Sequence, residues 1–142
     1  MSQNYIEAFE KTRLAGKVAA GALKEVEKIA KPGVRTIEID RLCYEYINDH
    51  GGYSAPLYYR GYPKSCCTSA NHVVCHGIPS DKILDNGDIV NVDVTAFKDG
   101  WHGDTSKTFE IGDVSIKAKK LIKTTYEAMM KAIKLVREDI HL

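Results

Sequence analysis

Two aspartates, Asp93 and Asp104, lie on β-prone segments on either side of Asp99 and Gly100, a dipeptide typical of a tight hairpin turn. If that dipeptide forms the turn, Ser106 lies opposite Asp93, and Asp104 is its diagonal neighbour. Residues two positions apart on a strand share a face, so both carboxylates would project to the same side. A divalent cation would offset their repulsion and their desolvation. The pair therefore predicts a metal site that activates water for hydrolysis.

The same two carboxylates also have a purely structural interpretation. They would then accept hydrogen bonds from neighbouring hydroxyl groups, for which Thr95, Thr105 and Ser106 are the candidates. For one isolated aspartate in a strand the two interpretations are balanced. Two aspartates on one face favour the metal site.

A histidine in the segment VVCHGIP, His76, is a second candidate for chemistry. It ends a predicted strand, Val73 to His76, where it would serve as a general acid, a general base or a hydrogen-bond donor to a developing oxyanion. A structural role is the alternative. Cys75 is disfavoured as a nucleophile paired with His76, because adjacent strand residues point to opposite faces. His72, in a turn, and His102, which we expect to point away from the carboxylates, are weaker candidates.

The composition limits the remaining function classes. The chain has 142 residues, of which 44% are hydrophobic and 27% charged, as in a globular domain with one core. Its net charge of +1 provides no strong field to hold nucleic acid or an anionic membrane. Without a signal peptide or a membrane-spanning run, we expect a cytoplasmic protein. The cysteines are expected to be reduced thiols, and their spacing does not fit structural zinc. They are Cys43, Cys66, Cys67 and Cys75.

Apolar periodicity predicts two helices before the hairpin. Apolar residues recur at helical spacing from Leu14 to Ala30, and Pro32 and Gly33 are expected to end that helix. Thr36 is predicted to cap a second helix that runs to Gly51. The opening of the chain is therefore helical.

A loop, the strands and one long helix are predicted for the rest of the chain. Residues 53–69 are rich in Tyr, Gly, Pro and Ser, which favours a loop. The hairpin strands are predicted at residues 88–97 and 101–111. Asp113 or Ser115 is predicted to cap a third helix with a buried apolar face. The predicted order is therefore α, α, β, β, β, α.

The chain contains a weak internal similarity. Residues 22–36 align without gaps on residues 128–142, and both segments look like amphipathic helix ends with a basic residue in the last turn, Lys28 over Lys134. We therefore expect a second copy of the opening unit to begin there, with the chain forming about half of a protein.

A long segment, GYPKSCCTSANHVVCHGIPSDKILDNGDIVNVDVTAFKDGWHGDTSKTF, resembles the catalytic signature of the type I methionine aminopeptidases. The segment AGKVAAGALKEVEKIAKPGVRT is similar to the same family, so the resemblance covers nearly the whole chain. It implies an α/β (α+β) pita-bread fold with two pseudo-symmetric halves. Residues 1–142 would be the amino-terminal portion of its single catalytic domain.

The resemblance implies a dinuclear metal centre held by two Asp from the first half and a His and two Glu from the second. The motifs NVDVT and HGDTS match the two aspartates to Asp93 and Asp104. The other three ligands would lie beyond Leu142. The resemblance leaves Mn, Fe, Co and Zn open as the two divalent ions.

The resemblance also implies roles for residues near the carboxylates. His76 of VCHGIP matches the family histidine that contacts the substrate and assists at the scissile carbonyl. Three positions match the lining of the methionine pocket: Tyr59, Tyr62 and Cys67. Asn71 and Val73 match positions whose carbonyl oxygens hold a monovalent cation.

The implied function is removal of the amino-terminal methionine from newly made proteins when the next residue is small. The partners would be nascent polypeptide amino termini near the ribosome, without direct contact with nucleic acid or membrane, and the intact protein would be a monomer. A proline-cleaving dipeptidase of the same fold is one alternative, and a non-catalytic binding module is another. Residues 1–142 alone are expected to be inactive.

Overall fold

A computed structural model describes residues 3–141, with eight elements of secondary structure. The helices are α1 (Gln3–Ile29), α2 (Thr36–Asp49) and α3 (Ile116–Leu135), with a short 3-10 helix at Tyr59–Gly61. The strands are β1 (Tyr53–Ser54), β2 (Cys67–Ala70), β3 (Ile89–Lys98) and β4 (Trp101–Glu110). No helix within residues 3–141 is long and apolar enough to cross a bilayer. The mixed α and β architecture confirms the predicted fold class.

The four strands form one antiparallel sheet around β3. On one side β3 pairs with β4 along its full length, and on the other side it pairs with the short strands β1 and β2. Among the described residues, β4 has β3 as its only partner strand. Its outer edge is therefore open in this chain.

The β3–β4 hairpin has the predicted turn and the predicted register. Lys98 pairs with Trp101, and Asp93 pairs with Ser106. The two turn residues have positive backbone angles, with φ of 52° at Asp99 and 88° at Gly100. These angles suit a two-residue hairpin turn whose twist matches that of the strands. The Asp-Gly dipeptide thus sets which residues share a face throughout the hairpin.

The core lies between the sheet and the first two helices. Alternate β3 residues point into it, and Val90, Val92 and Val94 are fully buried. The two helices contribute a further large part of the core. These residues are Val18, Ala19, Ala22, Leu23 and Val26 from α1, and Ile39, Cys43 and Ile47 from α2. The opposite face of β3 therefore remains for polar side chains.

Gly103 on β4 lets α1 lie directly against the sheet. A Cβ at this position would overlap the backbone of Ala15 and Gly16. The glycine is therefore required by close packing of two backbones rather than by a turn. The same contact fixes the distance between α1 and the backbone of the next residue, Asp104.

The prediction of a strand at Val73 to His76 is wrong, and so is the prediction of a loop for all of residues 53–69. The observed strand, β2, lies earlier and pairs with β3 from Cys67 to Ala70. It ends at Ala70, because the next residue, Asn71, has a left-handed φ of 53° and a side chain held by Asp88 and by the amide of Ile89. The chain then turns into an exposed segment, so its β-prone residues pair with no strand.

The predicted caps are right at one helix and wrong at another. The Ser115 hydroxyl accepts a hydrogen bond of 3.2 Å from the amide of Ala118, as expected at the start of α3. Thr36 does not cap α2; it is the first helical residue, and its hydroxyl exchanges hydrogen bonds with the backbone of Ser80. The free amide of Arg35 is satisfied instead by the carboxylate of Glu38, 2.9 Å away.

The prediction that α3 buries its apolar face is wrong for the described residues. No residue of α3 is buried, and Ile116, Leu121 and Ile133 are more than half exposed. Within the described residues, the segment 22–35 and the aligned segment 128–141 are nevertheless alike in structure. In this alignment the last residue of α1, Ile29, matches the last residue of α3, Leu135, and left-handed Gly33 matches left-handed Asp139.

Candidate metal centre

Asp93 and Asp104 project from the same face of the β3–β4 hairpin. Asp93 pairs with Ser106, while Asp104 pairs with Thr95, two positions along β3 from Asp93. The two carboxylates are therefore diagonal neighbours, as the sequence predicts. Asp93 is half-buried and Asp104 is exposed. The Asp93 carboxylate is thus partly covered by its neighbours, whereas the Asp104 carboxylate is open to solvent.

The two carboxylates interact unfavourably with each other. Burial raises the pKa of Asp93, and the neighbouring charge of Asp104 raises it further, while His76 acts in the opposite direction. Among the ion pairs formed by the described residues, none involves either aspartate. Two close carboxylates that pair with no Lys or Arg among the described residues form an oxygen donor set that fits a divalent cation.

The structural interpretation accounts for part of the arrangement. The Thr95 hydroxyl donates a hydrogen bond of 3.0 Å to Oδ1 of Asp104. Among residues 3–141, no hydroxyl donates to Asp93 in this way: the nearby Ser106 oxygen accepts from the Asn91 side chain, at 3.4 Å. The hydroxyl groups on this face therefore orient one carboxylate and leave the pair uncompensated.

His76 lies at the edge of this face, in a conformation that the sequence did not predict. It has a left-handed φ of 54° and an exposed side chain. The next residue, Gly77, packs so closely on β2 that a Cβ would overlap the carbonyl group of Thr68. Because this segment is not a strand, the argument from alternating strand faces against a Cys75–His76 pair does not apply.

The other two candidate histidines, His72 and His102, are not part of the carboxylate pair. His102 is exposed, and its ring packs edge-on against Phe97, with ring centroids 4.8 Å apart. It lies two residues from Asp104 and hence on the same face of β4, so the expectation that it points away is wrong. His72 is exposed in the turn after β2, as expected. Within residues 3–141, no three His, Cys, Asp or Glu side chains form a cluster able to hold a metal ion.

Of the three expected pocket residues, Cys67 lies beside Asp93 and Tyr62 lies beside Cys67. Cys67 is buried and pairs with Asp93 across β2 and β3. Tyr62 is half-buried, and burial together with the Cys67 thiol raises the pKa of its phenol. Tyr59 lies apart from them, 65% exposed on the 3-10 turn, with the Arg60 guanidinium 5.5 Å from its ring centre. The structure thus brings Tyr62 and Cys67 together and leaves Tyr59 at the surface.

Asn71 and Val73 form the tight turn that follows β2. The amide of Asn71 donates to Ile89 and the amide of Val73 donates to Ala70, at 2.9 Å and 3.1 Å. Asp88 accepts a hydrogen bond of 2.8 Å from the Asn71 side chain and anchors the turn. The turn therefore has a defined backbone conformation.

Sequence reasoning missed one buried acid, Asp40 of α2. Its side chain lies between the helix and the loop before β2, and Oδ1 accepts the amides of Ser65 and Cys66 at 2.7 Å and 3.1 Å. The available signal was its position beside Ile39 and three residues before Cys43, at the edge of the apolar stripe of α2. A charged residue at such a position predicts a buried polar contact.

Comparisons with known proteins agree on one family. The model of metallopeptidase family M24 matches residues 10–142. The chain is 57% identical over 134 residues to a methionine aminopeptidase of Rickettsia prowazekii, covering 94% of this chain and 52% of that protein. The crystal structure of methionine aminopeptidase from that organism superposes with a TM-score of 0.91 at 56% identity, covering 92% of this chain and 53% of the other.

A more distant structure shares the fold alone. An Xaa-Pro dipeptidase from Bacillus anthracis superposes with a TM-score of 0.76 at 22% identity, covering 87% of this chain and 34% of the other. The chain spans about half the length of the curated relatives it matches. The expected pita-bread fold is confirmed, with this chain covering about half of it, and a metallopeptidase family implies metal ions. The chain belongs to metallopeptidase family M24.

Proposed function

We propose that the full-length protein is a methionine aminopeptidase, which releases the amino-terminal methionine of a polypeptide when the next residue is small. The observation that carries the proposal is the uncompensated pair of Asp93 and Asp104 on one face of the hairpin. The similarity to a methionine aminopeptidase at 57% identity supports the choice of substrate. In this proposal residues 1–142 are the amino-terminal portion of a single catalytic domain.

Asp93 and Asp104 would hold two divalent ions together with a His and two Glu contributed from beyond Leu142. Mn, Fe, Co and Zn all suit carboxylate and imidazole ligands. When bound, the ions would supply Lewis acidity and activate a water molecule for hydrolysis. The hydrogen bond from Thr95 orients the Asp104 carboxylate for metal binding. The hairpin register fixes the backbone position of Asp104 diagonally across from Asp93. The turn of Asn71 and Val73 would offer its carbonyl oxygens to a monovalent cation.

His76 would act on the substrate and not as a metal ligand. It lies near enough to Asp93 to influence the pKa of that carboxyl, yet it forms no cluster of three ligands with the two aspartates among residues 3–141. Its exposed imidazole would donate a hydrogen bond to the scissile carbonyl oxygen as negative charge develops there. Its left-handed backbone is held by the close packing of Gly77 on β2.

The methionine side chain would bind beside Cys67 and Tyr62, with Tyr59 at the rim. Cys67 is buried and protonated, because burial raises the pKa of its thiol. A neutral thiol and aromatic rings provide the apolar, polarizable surface that suits a thioether. This surface directly adjoins Asp93, so a bound methionine would place its amide bond close to the carboxylate pair.

The partners and location follow from this substrate. Nascent polypeptide amino termini near the ribosome would be the physiological substrates, and the enzyme would work in the cytoplasm as a monomer. It would contact neither nucleic acid nor membrane directly, in keeping with a net charge of +1.

A peptide panel on the metal-loaded full-length protein tests the proposal against a proline-cleaving dipeptidase of the same fold. We expect release of methionine from Met-Ala-Ser, little release from Met-Leu-Ser, and no cleavage of Ala-Pro. Cleavage of Ala-Pro alone would identify the dipeptidase. Absence of cleavage of any peptide by protein with its full metal content would favour a non-catalytic module.

A further inference from the structure

The loop that leads into β2 at Cys67 is tied to α2 through one buried carboxylate. Asp40 is 8% exposed, and its Oδ1 accepts hydrogen bonds from the amides of Ser65 and Cys66. None of the ion pairs within residues 3–141 includes Asp40. The two amides therefore provide the compensation that a buried carboxylate requires.

The Tyr62 hydroxyl continues this connection toward His76. It lies 3.0 Å from the carbonyl oxygen of Cys66 and 3.1 Å from that of Gly77, to which it can donate in a shared hydrogen bond. The Gly77 carbonyl also accepts the amide of Thr68, at 2.8 Å. The carbonyl group of Gly77, the residue after His76, is thereby held to β2 and to the loop that Asp40 holds.

Both ends of the connection lie at the candidate site. Cys66 precedes Cys67, which pairs with Asp93, and Gly77 follows His76. The amide of Gly77 donates to the Ser69 hydroxyl at 3.1 Å, so the residue after His76 is held to β2 through both its amide and its carbonyl group. A shift at Ser65 or Cys66 would therefore move the pocket wall and the histidine together.

We propose that Asp40 is a positioning residue, whose carboxylate, through the Tyr62 hydroxyl, sets the placement of Cys67 and His76 without touching the substrate. The catalytic consequence rests on the proposed aminopeptidase function. The structural consequence stands independently of that function, because the hydrogen bonds of Asp40 and Tyr62 lie within the described chain.

The test compares Asp40→Leu with Asp40→Asn in the metal-loaded full-length protein. Leucine removes the acceptor, whereas asparagine keeps an oxygen that can accept both amides. We expect Asp40→Leu to lower kcat for Met-Ala-Ser about tenfold or more at unchanged metal content, and Asp40→Asn to stay within about threefold of wild type. Hydrogen–deuterium exchange at the Ser65 and Cys66 amides should accelerate in Asp40→Leu alone. Asp49→Leu, an exposed change at the end of the same helix, is the matched control.

Tyr62→Phe tests the second link and replaces Asp40→Leu if that variant does not fold. The ring stays in the pocket while the hydroxyl is lost, so kcat should fall several-fold with KM nearly unchanged. Folded Asp40→Leu with wild-type kcat and protected Ser65 and Cys66 amides would overturn the proposal. A Tyr62→Phe variant that changes only KM would do so as well. An inactive wild-type enzyme would refute the proposed function instead, and the exchange measurement would still decide the role of Asp40.

Discussion

Asp104 lies diagonally across the hairpin from Asp93. Asp93 pairs with Ser106, which is two residues from Asp104 on β4, and Asp104 pairs with Thr95, which is two residues from Asp93 on β3. This relationship is set by the register of a two-residue turn. It places two negative charges side by side, and the pKa of Asp93 is raised in consequence of its burial and of Asp104. The fold thus tolerates repulsion at the position where a cation would relieve it.

Replacing Gly103 by alanine should destabilise the protein, because the added methyl group would meet the α1 backbone at Ala15 and Gly16. We expect a loss of about 2 kcal/mol in the free energy of unfolding, measured by urea denaturation of the full-length protein. Gly16→Ala is the matched control, since its Cβ would meet no atom within 4 Å and lies in a helix. That variant should be neutral or about 0.5 kcal/mol more stable. Equal stability of the two variants would contradict the packing argument.

His76→Ala in the full-length protein should keep its metal and lose turnover. The side chain is exposed and forms no ligand cluster with the aspartates among the described residues, so its removal leaves the carboxylates in place. We expect kcat to fall about a hundredfold, within the range for loss of one oxyanion donor, with metal content unchanged by elemental analysis. A metal-free variant would show that His76 is a ligand.

The thiols should react with iodoacetamide in order of their exposure, and a thiol that stays protonated should react slowly. Cys75 is exposed and should be labelled first, whereas Cys66 is buried. A hydrogen bond with Cys43, together with burial, raises the pKa of the Cys66 thiol well above its usual value, so this thiol stays protonated and unreactive. Mass spectrometry should find Cys66 unlabelled in the folded protein even at about pH 9, above the ordinary thiol pKa of about 8.5. Labelling of Cys66 at the rate of Cys75 would show that the loop opens.

Residues 1–142 produced alone should be inactive on Met-Ala-Ser and should self-associate. A groove of about 1040 Å³ separates the hairpin face from α3, whose side chains Leu121, Tyr126 and Met129 line it. An open β4 edge and an apolar helix face favour association between copies. Light scattering should report oligomers, and calorimetry should find weak binding of divalent metal. A monodisperse, active monomer would mean that the remaining ligands come from within these residues.

The hairpin and its carboxylate pair were predictable because their causes are local. An Asp-Gly turn fixes the register, and strand alternation then assigns Asp93 and Asp104 to one face. The matched ends of α1 and α3 were likewise visible as a repeated pattern, and the structure adds that Gly33 and Asp139, which follow those ends, are both left-handed.

The predictions that were wrong depended on distant contacts. The end of β2 is determined by Asn71, whose side chain is held by Asp88, seventeen residues away along the chain. The first residue of α2, Thr36, bonds to Ser80 rather than to its own helix. The apolar periodicity of α3 is real, but periodicity identifies an apolar face without showing what covers it.

Metal content and turnover of Asp93→Asn and Asp104→Asn in the full-length protein test the central claim most directly. Each change removes one negatively charged ligand while keeping the side-chain shape, so secondary structure by circular dichroism should be unchanged. We predict that each variant loses metal, as measured by elemental analysis, and releases methionine from Met-Ala-Ser at less than about 1% of the wild-type rate. The control Asp113→Asn, an exposed change outside the site, should retain both its metal and its turnover. Wild-type metal content with near-normal turnover in both variants would contradict the assignment of this carboxylate pair as the metal centre.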